Sequence, residues 1–414
     1  MKFWFFFAFV LLGILVFKGY ISKGIYQATT SKNIQLLYTI FSIGTFIIGI
    51  ITLVTTFPNG IIGLTTLKNF MIALMLSVVI CELILSAFFI LDDLLLFFNT
   101  MMEKKNSAIV DDTVDTNSRR RFLKTTGLAL SSIPFASFLY GITKGKYNFT
   151  VFEQTLTFSD LPKDFDGFKI VQFSDLHSGG FDSYENVKRG FDLIQAQQAD
   201  IILFTGDLVN DLAEEILPYK DLLQKLHAPF GKYSVLGNHD YSEDDGLFPD
   251  KAAKIKNFIA IQQHQKDVGF QLLNNANTKI EKDKAFIRLL GVENWGNSFI
   301  KEGDFDKAIE NCGDKEFSIL MSHDPSHWEK IVLKHPKHIH LTLSGHTHGM
   351  QMGVEAFGIK WSPIQYFYKY WAGLYQELNQ YLYVNRGFGF MGFAGRVGIP
   401  PEITVFTLKV SDGL

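Results

Sequence analysis

The feature that most constrains this chain is a run of 26 residues, Asn33 to Pro58, that contains no charged side chain. A helix of about 20 apolar residues is enough to cross the hydrocarbon core of a bilayer. Because a segment buried in lipid must satisfy its backbone hydrogen bonds internally, such a run predicts a membrane helix. Three further apolar stretches lie nearby. Together the four predict a membrane region over residues 1–146, with transmembrane helices over about 3–20, 34–57, 70–98 and 125–143.

The basic residues around these stretches predict how the chain is oriented, since lysines and arginines near membrane helices favour the cytoplasmic side. If Arg119 to Arg121 are cytoplasmic, nine basic residues fall on that side, and Lys2 and Lys68 fall on the other. The nine are Lys18, Lys23, Lys32, Lys104, Lys105, Arg119, Arg120, Arg121 and Lys124. This count predicts a multi-pass protein of the cell membrane. Its amino terminus and everything after the fourth helix are then expected outside the cytoplasm.

The arginine run itself has two interpretations. The segment Ser118 to Lys124 reads Ser-Arg-Arg-Arg-Phe-Leu-Lys and precedes a moderately apolar stretch, so it resembles a twin-arginine export signal. Its position is unusual, because three apolar stretches come before it. The alternative is that the arginines anchor the cytoplasmic end of a helix.

Glu82 lies inside the third apolar stretch, where an ionisable side chain is costly and is a candidate for function. We favour a hydrogen bond between helices, because the sequence offers no obvious charged partner within the membrane. A transport role for the four helices is the alternative, and Glu82 is its one indication.

Charge and cysteine content narrow the range of partners. The formal charge is −3 and the isoelectric point is near 6.4, whereas nucleic-acid-binding domains are usually basic. We therefore expect no nucleic-acid partner. Cys81 and Cys312 are far apart in chemically different segments, so we expect no disulfide.

From residue 147 onward, short β-rich runs alternate with helical patterns. The runs that end in polar clusters are 168–173, 201–205, 233–236, 317–321 and 340–343, and the main helical patterns are 183–198, 219–227 and 251–268. Strands that alternate with helices predict an α/β layered domain over residues 147–414.

Each of these five runs is followed at once by side chains that bind metals. They are Asp175 and His177, Asp207, Asn238 with His239 and Asp240, His323, and His346 with His348. Sites in α/β sheets form where strands end and loops begin, so the five clusters are expected to meet. Each cluster alone is more often a turn or a surface pair, and the complete series is what favours a site.

The ligand set combines imidazole, carboxylate and one amide, and it contains no thiolate. This mixture suits Mn, Zn or Fe better than Mg or Ca, which prefer oxygen ligands. There are enough ligands for two divalent metal ions. A carboxylate can bridge ions about 3.5 to 4 Å apart that hold a hydroxide between them, and such a pair neutralises a phosphate under attack.

The motifs Asp175-x-His177, Gly206-Asp207, Gly237-Asn238-His239-Asp240, His323 and Gly345-His346-Thr347-His348 resemble the series of the calcineurin-like metallophosphoesterase superfamily. The resemblance covers about residues 165–410 and implies a four-layer sandwich of two β-sheets flanked by helices. It implies that Asp175, His177 and His348 hold one metal ion. Asn238, His323 and His346 would hold the other, and Asp207 would bridge the two. It also implies that His239 is the catalytic histidine near the leaving group and that Asp240 orients it. Within the superfamily, the chain most resembles membrane-anchored phosphodiesterases exported by the twin-arginine route.

Several features near the carboxyl terminus have structural and functional interpretations. The glycine series from Gly387 to Gly395 lacks the Lys-Ser/Thr of a phosphate loop and is predicted to be a flexible surface loop. Arg386 or Arg396 is a candidate contact for a substrate phosphate. Ten aromatic residues between Ala356 and Tyr383 are either core packing or an apolar wall beside the site that faces lipid.

The sequence therefore predicts a membrane-anchored, metal-dependent phosphoesterase, favouring phosphodiesters and a phospholipid or lipid-linked substrate. One alternative is a nucleoside-diphosphate-lipid pyrophosphatase that faces the cytoplasm. Another is a membrane scaffold that binds metal without turnover, which the intact His239-Asp240 pair disfavours, because pure binding needs no acid for a leaving group.

Overall fold

The computed structural model describes residues 2–56, 66–105, 116–242 and 245–411. The chain divides into two compact units, Met1–Ile142 and Thr143–Leu414. In its described part, the first unit consists of four long helices: α1 (Lys2–Ala28), α2 (Lys32–Thr56), α3 (Thr66–Lys105) and α4 (Thr116–Thr143).

Three segments of the described helices are long and apolar enough to cross a membrane: Lys32–Thr52, Phe70–Met102 and Ser118–Thr143. They correspond to the second, third and fourth predicted spans. The predicted first span, 3–20, falls partly on residues 1–11, whose side chains lie outside the description.

Glu82 has a charged partner inside the helical unit, contrary to the expectation from sequence. Its carboxylate lies 2.9 Å from Lys18 Nζ, and Lys18 also donates a hydrogen bond of 3.0 Å to Thr45. The hydroxyl of Tyr38 donates a third contact to Glu82 at 3.3 Å. Sequence alone missed the pair because Lys18 borders the first apolar stretch. The contact supports a helix-joining role, because two paired charges on α1 and α3 satisfy each other within the bundle.

A second buried carboxylate, Asp92 on α3, contacts Arg120 of the arginine run and Lys124, the last residue of the same basic segment. Arg120 Nε and Lys124 Nζ each lie 3.2 Å from Asp92 Oδ2, and Lys124 also contacts Gln27 on α1. The side chains of Asp92 and Lys124 are almost fully buried. The basic segment therefore contributes to the packing of three helices.

The second unit contains helices and strands in alternation. Its helices are α5 (Tyr184–Ala196), α6 (Lys220–Lys225), α7 (Lys251–Asp267), α8 (Phe305–Ala308) and α9 (Ser326–Lys330). Its strands are β1 (Thr150–Phe158), β2 (Lys169–Phe173), β3 (Ile201–Phe204), β4 (Lys232–Ser234), β5 (Phe270–Leu272), β6 (Ala276–Lys282), β7 (Ala285–Gly291), β8 (Ser318–Met321), β9 (Leu341–Ser344), β10 (Val354–Ala356), β11 (Ile359–Trp361), β12 (Gly373–Glu377), β13 (Gln380–Val384) and β14 (Glu402–Val410). The predicted strands and helices all occur, with shifts of one or two residues at their ends.

Two six-stranded sheets form the centre of this unit, which confirms the predicted α/β fold with two sheets flanked by helices. The strand orders are β1-β14-β2-β3-β4-β5 and β12-β13-β9-β8-β7-β6, and β10 and β11 form a separate hairpin. Within the first sheet, β2, β3 and β4 are parallel, as are β7, β8 and β9 in the second. The carboxyl ends of parallel strands share one edge of each sheet, which collects the loops that follow them.

The hydrophobic core lies between the two sheets. Inward-facing residues of both sheets form one buried cluster that includes Ile170, Leu203, Ile319 and Leu341. Ile319 and Met321 belong to that cluster. Leu320, which lies between them in the sequence, belongs instead to a second cluster with Trp328 of α9. This alternation is the two-residue period of a strand buried on both faces, and it explains why these runs are apolar throughout.

Candidate metal centre

The five predicted clusters converge in the second unit. Asp175 and His177 follow β2, Asp207 follows β3, Asn238 and His239 follow β4, His323 follows β8, and His346 and His348 follow β9. Their side chains form two groups able to hold a metal ion, Asp175-His177-His348 and Asp207-His323-His346. Within each group the donor atoms lie within 4.8 Å of one another. Strands from both sheets thus supply each half of the site.

Asp207 lies between the two groups. Its Oδ2 atom is 3.0 Å from His323 Nε2 and 3.5 Å from His177 Nε2, which belongs to the other group. The carboxylate of Asp175 accepts the backbone N–H of His346 at 2.9 Å and lies 3.2 Å from His348 Nε2. Asp207 therefore lies close to one histidine of each group.

Three of the imidazoles are oriented by contacts with groups outside the two ligand sets. His323 donates from Nδ1 to the carbonyl of Thr205 at 2.7 Å, which turns Nε2 toward Asp207. His177 Nδ1 donates to Asn210 Oδ1 at 3.1 Å. His346 Nε2 contacts the hydroxyl of Tyr368 at 2.8 Å, and its Nδ1 faces His323 Nε2 at 3.3 Å. Metal-binding histidines are commonly fixed in this way, because the outer hydrogen bond selects the tautomer and the ring orientation.

Asn210 and Tyr368 were not predicted from the sequence. Asn210 stands three residues after the Gly-Asp motif, and Tyr368 is one of ten aromatic residues in its stretch, so no local pattern singles out either residue. Tyr368 also donates to Asp324 Oδ2 at 3.4 Å, which makes it a link between His346 and the residue after His323.

The backbone of the site is held in an unusual conformation. Positive φ angles occur at five of the predicted ligands: Asp175, His177, Asp207, His346 and His348. The left-handed region is costly for such side chains, and strain of this kind concentrates at functional sites. The neighbouring glycines make room for the carboxylates, since a Cβ at Gly237 would overlap Asp207 Oδ1 and one at Gly345 would overlap Asp175 Oδ2.

Burial and mutual attraction set the charges in the site. Burial alone would raise the pKa of Asp207, but the neighbouring histidines, His323 above all, bring it well below its ordinary value. Burial opposes the charge of His323, yet Asp207 raises the pKa of that imidazole to about 10. The pKa of His177 is lowered far below its usual value, chiefly by burial. Burial opposes the charge of Asp175 as well, but His348 brings the pKa of that carboxyl below its ordinary value. Asp175 and Asp207 therefore stay ionised beside a neutral His177, which is an environment that favours cations.

Unpaired polar atoms test whether the residues fit metal ions. Among the described residues, His177 Nε2, His348 Nε2 and Asn238 Oδ1 are buried without a hydrogen-bond partner. An unpaired buried acceptor costs stability, so such atoms need an explanation. All three are predicted ligands. The next residue after Asn238 donates its backbone N–H to Asp207 Oδ1 at 2.9 Å, which puts the amide beside the bridging position. The donor set is nitrogen and oxygen, and it fits divalent transition metals.

Asp240 makes different contacts from those that the resemblance implies. His239 Nδ1 donates to the backbone carbonyl of Asn210 at 2.8 Å, so Asn210 orients this ring. Asp240 does not orient it. Its buried carboxylate accepts three backbone N–H groups, from Asp207, Leu208 and Gly237, at 2.8 to 3.0 Å. Asp240 therefore fixes the loops that carry Asp207 and His239, because its side chain points into the backbone behind the site.

Two expectations about the carboxyl-terminal segment are wrong. Arg386 is paired with Glu355 and Glu402, and Arg396 is fully buried among the carbonyls of residues 386–389, so neither guanidinium is free for a substrate. The glycines from Gly387 onward do not begin a flexible surface loop. Gly389 is buried and donates its N–H to the carbonyl of Asp175 at 2.8 Å. Burial of this kind depends on contacts distant in sequence and has no local signal.

The two units match known families. The family model described as calcineurin-like phosphoesterase matches residues 168–350. The one described as probable calcineurin-like phosphoesterase, transmembrane domain, matches residues 1–146.

Three curated relatives illustrate the similarity. The uncharacterized metallophosphoesterase YkuE of Bacillus subtilis is 34% identical over 301 residues, which cover 71% of this chain and 99% of that protein. An uncharacterized metallophosphoesterase of Aquifex aeolicus is 28% identical, over 64% of this chain and 93% of that protein. A transmembrane protein with metallophosphoesterase domain from Danio rerio is 24% identical, over 66% of this chain and 60% of that protein.

Proposed function

Because the chain belongs to the calcineurin-like metallophosphoesterase family, we propose that it is a membrane-anchored enzyme that hydrolyses a phosphodiester with two divalent metal ions. The observation that carries the proposal is the convergence of two ligand groups on Asp207, with three buried ligand atoms left unpaired among the described residues. A buried cluster of this composition is costly without cations.

Asp175, His177 and His348 would hold one ion, and Asn238, His323 and His346 would hold the second. Asp207 would contact both, as its distances to His177 and His323 allow. When bound, the pair would activate water and neutralise the phosphate oxygens, and the donor set favours Mn, Zn or Fe.

His239 is the proposed proton donor. Its Nδ1 is held by the carbonyl of Asn210, which leaves Nε2 for the substrate, and the side chain is partly exposed. Attack of water on phosphorus forms a new P–O bond and breaks the bond to the leaving-group oxygen. That oxygen takes a proton from Nε2 of His239, and the proton lost by the attacking water returns to the imidazole through solvent. General acids of this kind contribute about 10²- to 10⁴-fold to a rate.

We further propose that the substrate is a phospholipid or lipid-linked phosphodiester on the extracytoplasmic side. The membrane unit and the count of basic residues support this proposal. For the arginine run we favour anchoring over export by the twin-arginine route, because Arg120 and Lys124 are occupied by the buried carboxylate of Asp92.

The test uses the full chain, purified in detergent and stripped of metal. Hydrolysis of a chromogenic phosphodiester and of a lipid phosphodiester in mixed micelles is measured as Mn, Zn, Fe or Mg is returned, with bound metal counted in parallel. Asp207→Asn should lose both metal and activity. His239→Gln should keep the metal and lose activity at least about 100-fold.

His227→Gln is the control, since His227 is an exposed histidine outside the site. A folded chain that binds two equivalents of metal but cleaves neither ester would reject catalysis and favour a metal-binding scaffold.

A further inference from the structure

The segment from Met350 to Phe367, here called the site hairpin, begins and ends at the metal centre. It begins two residues after His348, and at its far end Tyr368 returns to contact His346 at 2.8 Å. Between these points it forms the β10–β11 hairpin, which belongs to neither large sheet. Any surface that the site hairpin presents is therefore adjacent to the site.

That surface is apolar and exposed. In the described part of residues 143–414, fifteen large hydrophobic side chains are exposed, and seven of them fall within these 18 residues. The seven are Met350, Val354, Phe357, Ile359, Trp361, Tyr366 and Phe367. Single exposed hydrophobic residues are ordinary, but a concentration of this kind indicates an interaction surface.

The tip of the hairpin is the most informative position. Ala356 pairs with Ile359, so Phe357 and Gly358 form a two-residue turn, with φ angles of 55° and 78°. A turn with two positive φ angles favours Asn-Gly, and a bulky aromatic residue there is strained. Phe357 is fully exposed, so its ring gains no packing energy in return. The fold alone gives no reason for phenylalanine at this position.

The base of the site hairpin is well fixed. The N–H of Gly353 donates to the carbonyl of Val397 at 2.9 Å, and Ser362 donates to the carbonyl of Gly349 at 2.7 Å. Glu355 is bound by Arg386 at 2.7 Å. The apolar side chains are thus displayed by an ordered support, and their exposure is a property of the fold.

The rest of the chain indicates what covers this surface. The chain carries membrane helices, and six residues, 144–149, connect α4 to β1. The second unit is therefore tethered close to the membrane helices. Of the two charged side chains of the site hairpin, Glu355 is neutralised by Arg386. Lys360 donates to the carbonyl of Ala372 and keeps its positive charge, which a long lysine side chain can hold in the headgroup layer. Tryptophan, tyrosine and phenylalanine are the residues that favour the boundary between headgroups and acyl chains.

We propose that the site hairpin inserts into the headgroup–acyl boundary of the bilayer that anchors the chain, with the ring of Phe357 entering deepest. The insertion would present the metal centre to phosphodiesters in that membrane. This second consequence rests on the proposed function, whereas the insertion itself does not.

The insertion is measured on the full chain with Cys81 and Cys312 replaced by serine and one cysteine introduced at position 357. The cysteine carries an environment-sensitive fluorophore, and the protein is reconstituted in phosphatidylcholine–phosphatidylglycerol vesicles with or without nitroxide-labelled phosphatidylcholine. The label at 357 should shift to the blue, and the nitroxide lipid should quench it.

Leu378 provides the matched control site. It also stands at positive φ in a two-residue turn and is 73% exposed. It precedes β13, which runs parallel to β9, so it lies at the end of the sheet opposite His346. A label at 378 should stay unquenched. Equal, weak quenching at positions 357 and 378 would overturn the proposal. A label at 357 that is blue-shifted but not quenched would also overturn it, because the tip would then be covered by protein and not by lipid.

A second variant separates insertion from folding and from catalysis. Phe357→Asn suits the turn better, so the unfolding temperature should stay equal or rise. The rate on a soluble chromogenic diester should be unchanged, while kcat/KM on a phosphodiester in vesicles falls about tenfold, the loss expected for one buried ring. If the label at 357 is quenched but the chain cleaves neither the soluble diester nor the diester in vesicles, the insertion is supported and the proposed function is rejected. If Phe357→Asn keeps the full kcat/KM on the phosphodiester in vesicles, insertion of the hairpin does not help the metal centre to reach membrane substrates.

Discussion

At the scale of single residues, Asn210 orients two histidines, one through its side chain and the other through its backbone. Its side-chain oxygen accepts from His177, and its backbone carbonyl accepts from His239. Asn210→Ala removes the first contact and keeps the second. We expect metal affinity to fall about 10- to 100-fold, the usual loss for a partner of a ligating histidine. The rate of the fully loaded enzyme should be kept, which metal titration with kinetics at saturating metal would measure.

The conservative variant checks the cause. Asn210→Asp retains an acceptor for His177 and should retain the metal affinity. If Asn210→Ala binds metal as tightly as the unaltered chain, the outer hydrogen bond of His177 does not contribute to the site.

A similar prediction concerns Tyr368, which contacts His346 of the other ligand group. Tyr368→Phe keeps the ring and removes the hydroxyl between His346 and Asp324. One lost hydrogen bond of this kind is worth about 1 kcal/mol. We expect metal affinity to fall about fivefold, because the ring of His346 is then less firmly held before the metal binds. Tyr366→Phe is the control, because Tyr366 is 74% exposed, and an equal loss in that variant would contradict the role of the Tyr368 hydroxyl.

The clusters of ligands could be found from the sequence, whereas the residues that orient them could not. Asp175, Asp207 and His346 each stand two or three residues after an apolar run, so their position at the end of a predicted strand marks them as candidates. The partners of the histidines are a carbonyl, an amide and a phenol, contributed by loops up to 118 residues away in sequence. Common residue types in such positions have no local signature. The role implied for Asp240 was wrong for the same reason, because a resemblance gives residue types and not hydrogen bonds.

At the scale of elements, the segment Gly387–Phe390 is the least expected part of the site. Phe388 and Gly389 donate backbone hydrogen bonds to the carbonyls of Ser174 and Asp175, so this segment holds the loop after β2 in place. A Cβ at Gly389 would overlap the carbonyl oxygen of Leu176. Gly389→Ala should lower the free energy of unfolding by about 1–3 kcal/mol, the usual cost of overpacking, and weaken metal binding at Asp175.

Gly392→Ala is the comparison for this element. Nothing lies within 4 Å of a Cβ at Gly392, but its φ of 69° makes alanine cost about 1 kcal/mol. Thermal unfolding of the two variants, with bound metal counted, separates the steric effect from the backbone effect. A larger loss in Gly392→Ala than in Gly389→Ala would refute the steric argument.

The same distinction explains which elements the sequence revealed. The strands β2, β3, β8 and β9 are short apolar runs that end in polar residues, and their pattern is local. The pairing of β1 with β14 joins Thr150 to Glu402, and no period in the chain encodes that register. The strands β10 and β11 were not predicted, since a hairpin exposed on both faces lacks the alternation that marks a half-buried strand.

At the scale of the whole molecule, the side of the membrane on which the site lies decides which substrates it meets. Lysines and arginines divide nine to two across the predicted spans, which predicts that Leu414 lies outside the cytoplasm. Alkaline phosphatase fused after Leu414 should therefore be active, and green fluorescent protein fused there should stay dark. Fusions after Lys105 should give the reverse pattern, because that residue lies in a predicted cytoplasmic loop. A fluorescent fusion after Leu414 would place the metal centre in the cytoplasm. The nucleoside-diphosphate-lipid pyrophosphatase would then be the better hypothesis, because its substrates are available on that side, and Asp207→Asn would be tested on a lipid-linked diphosphate.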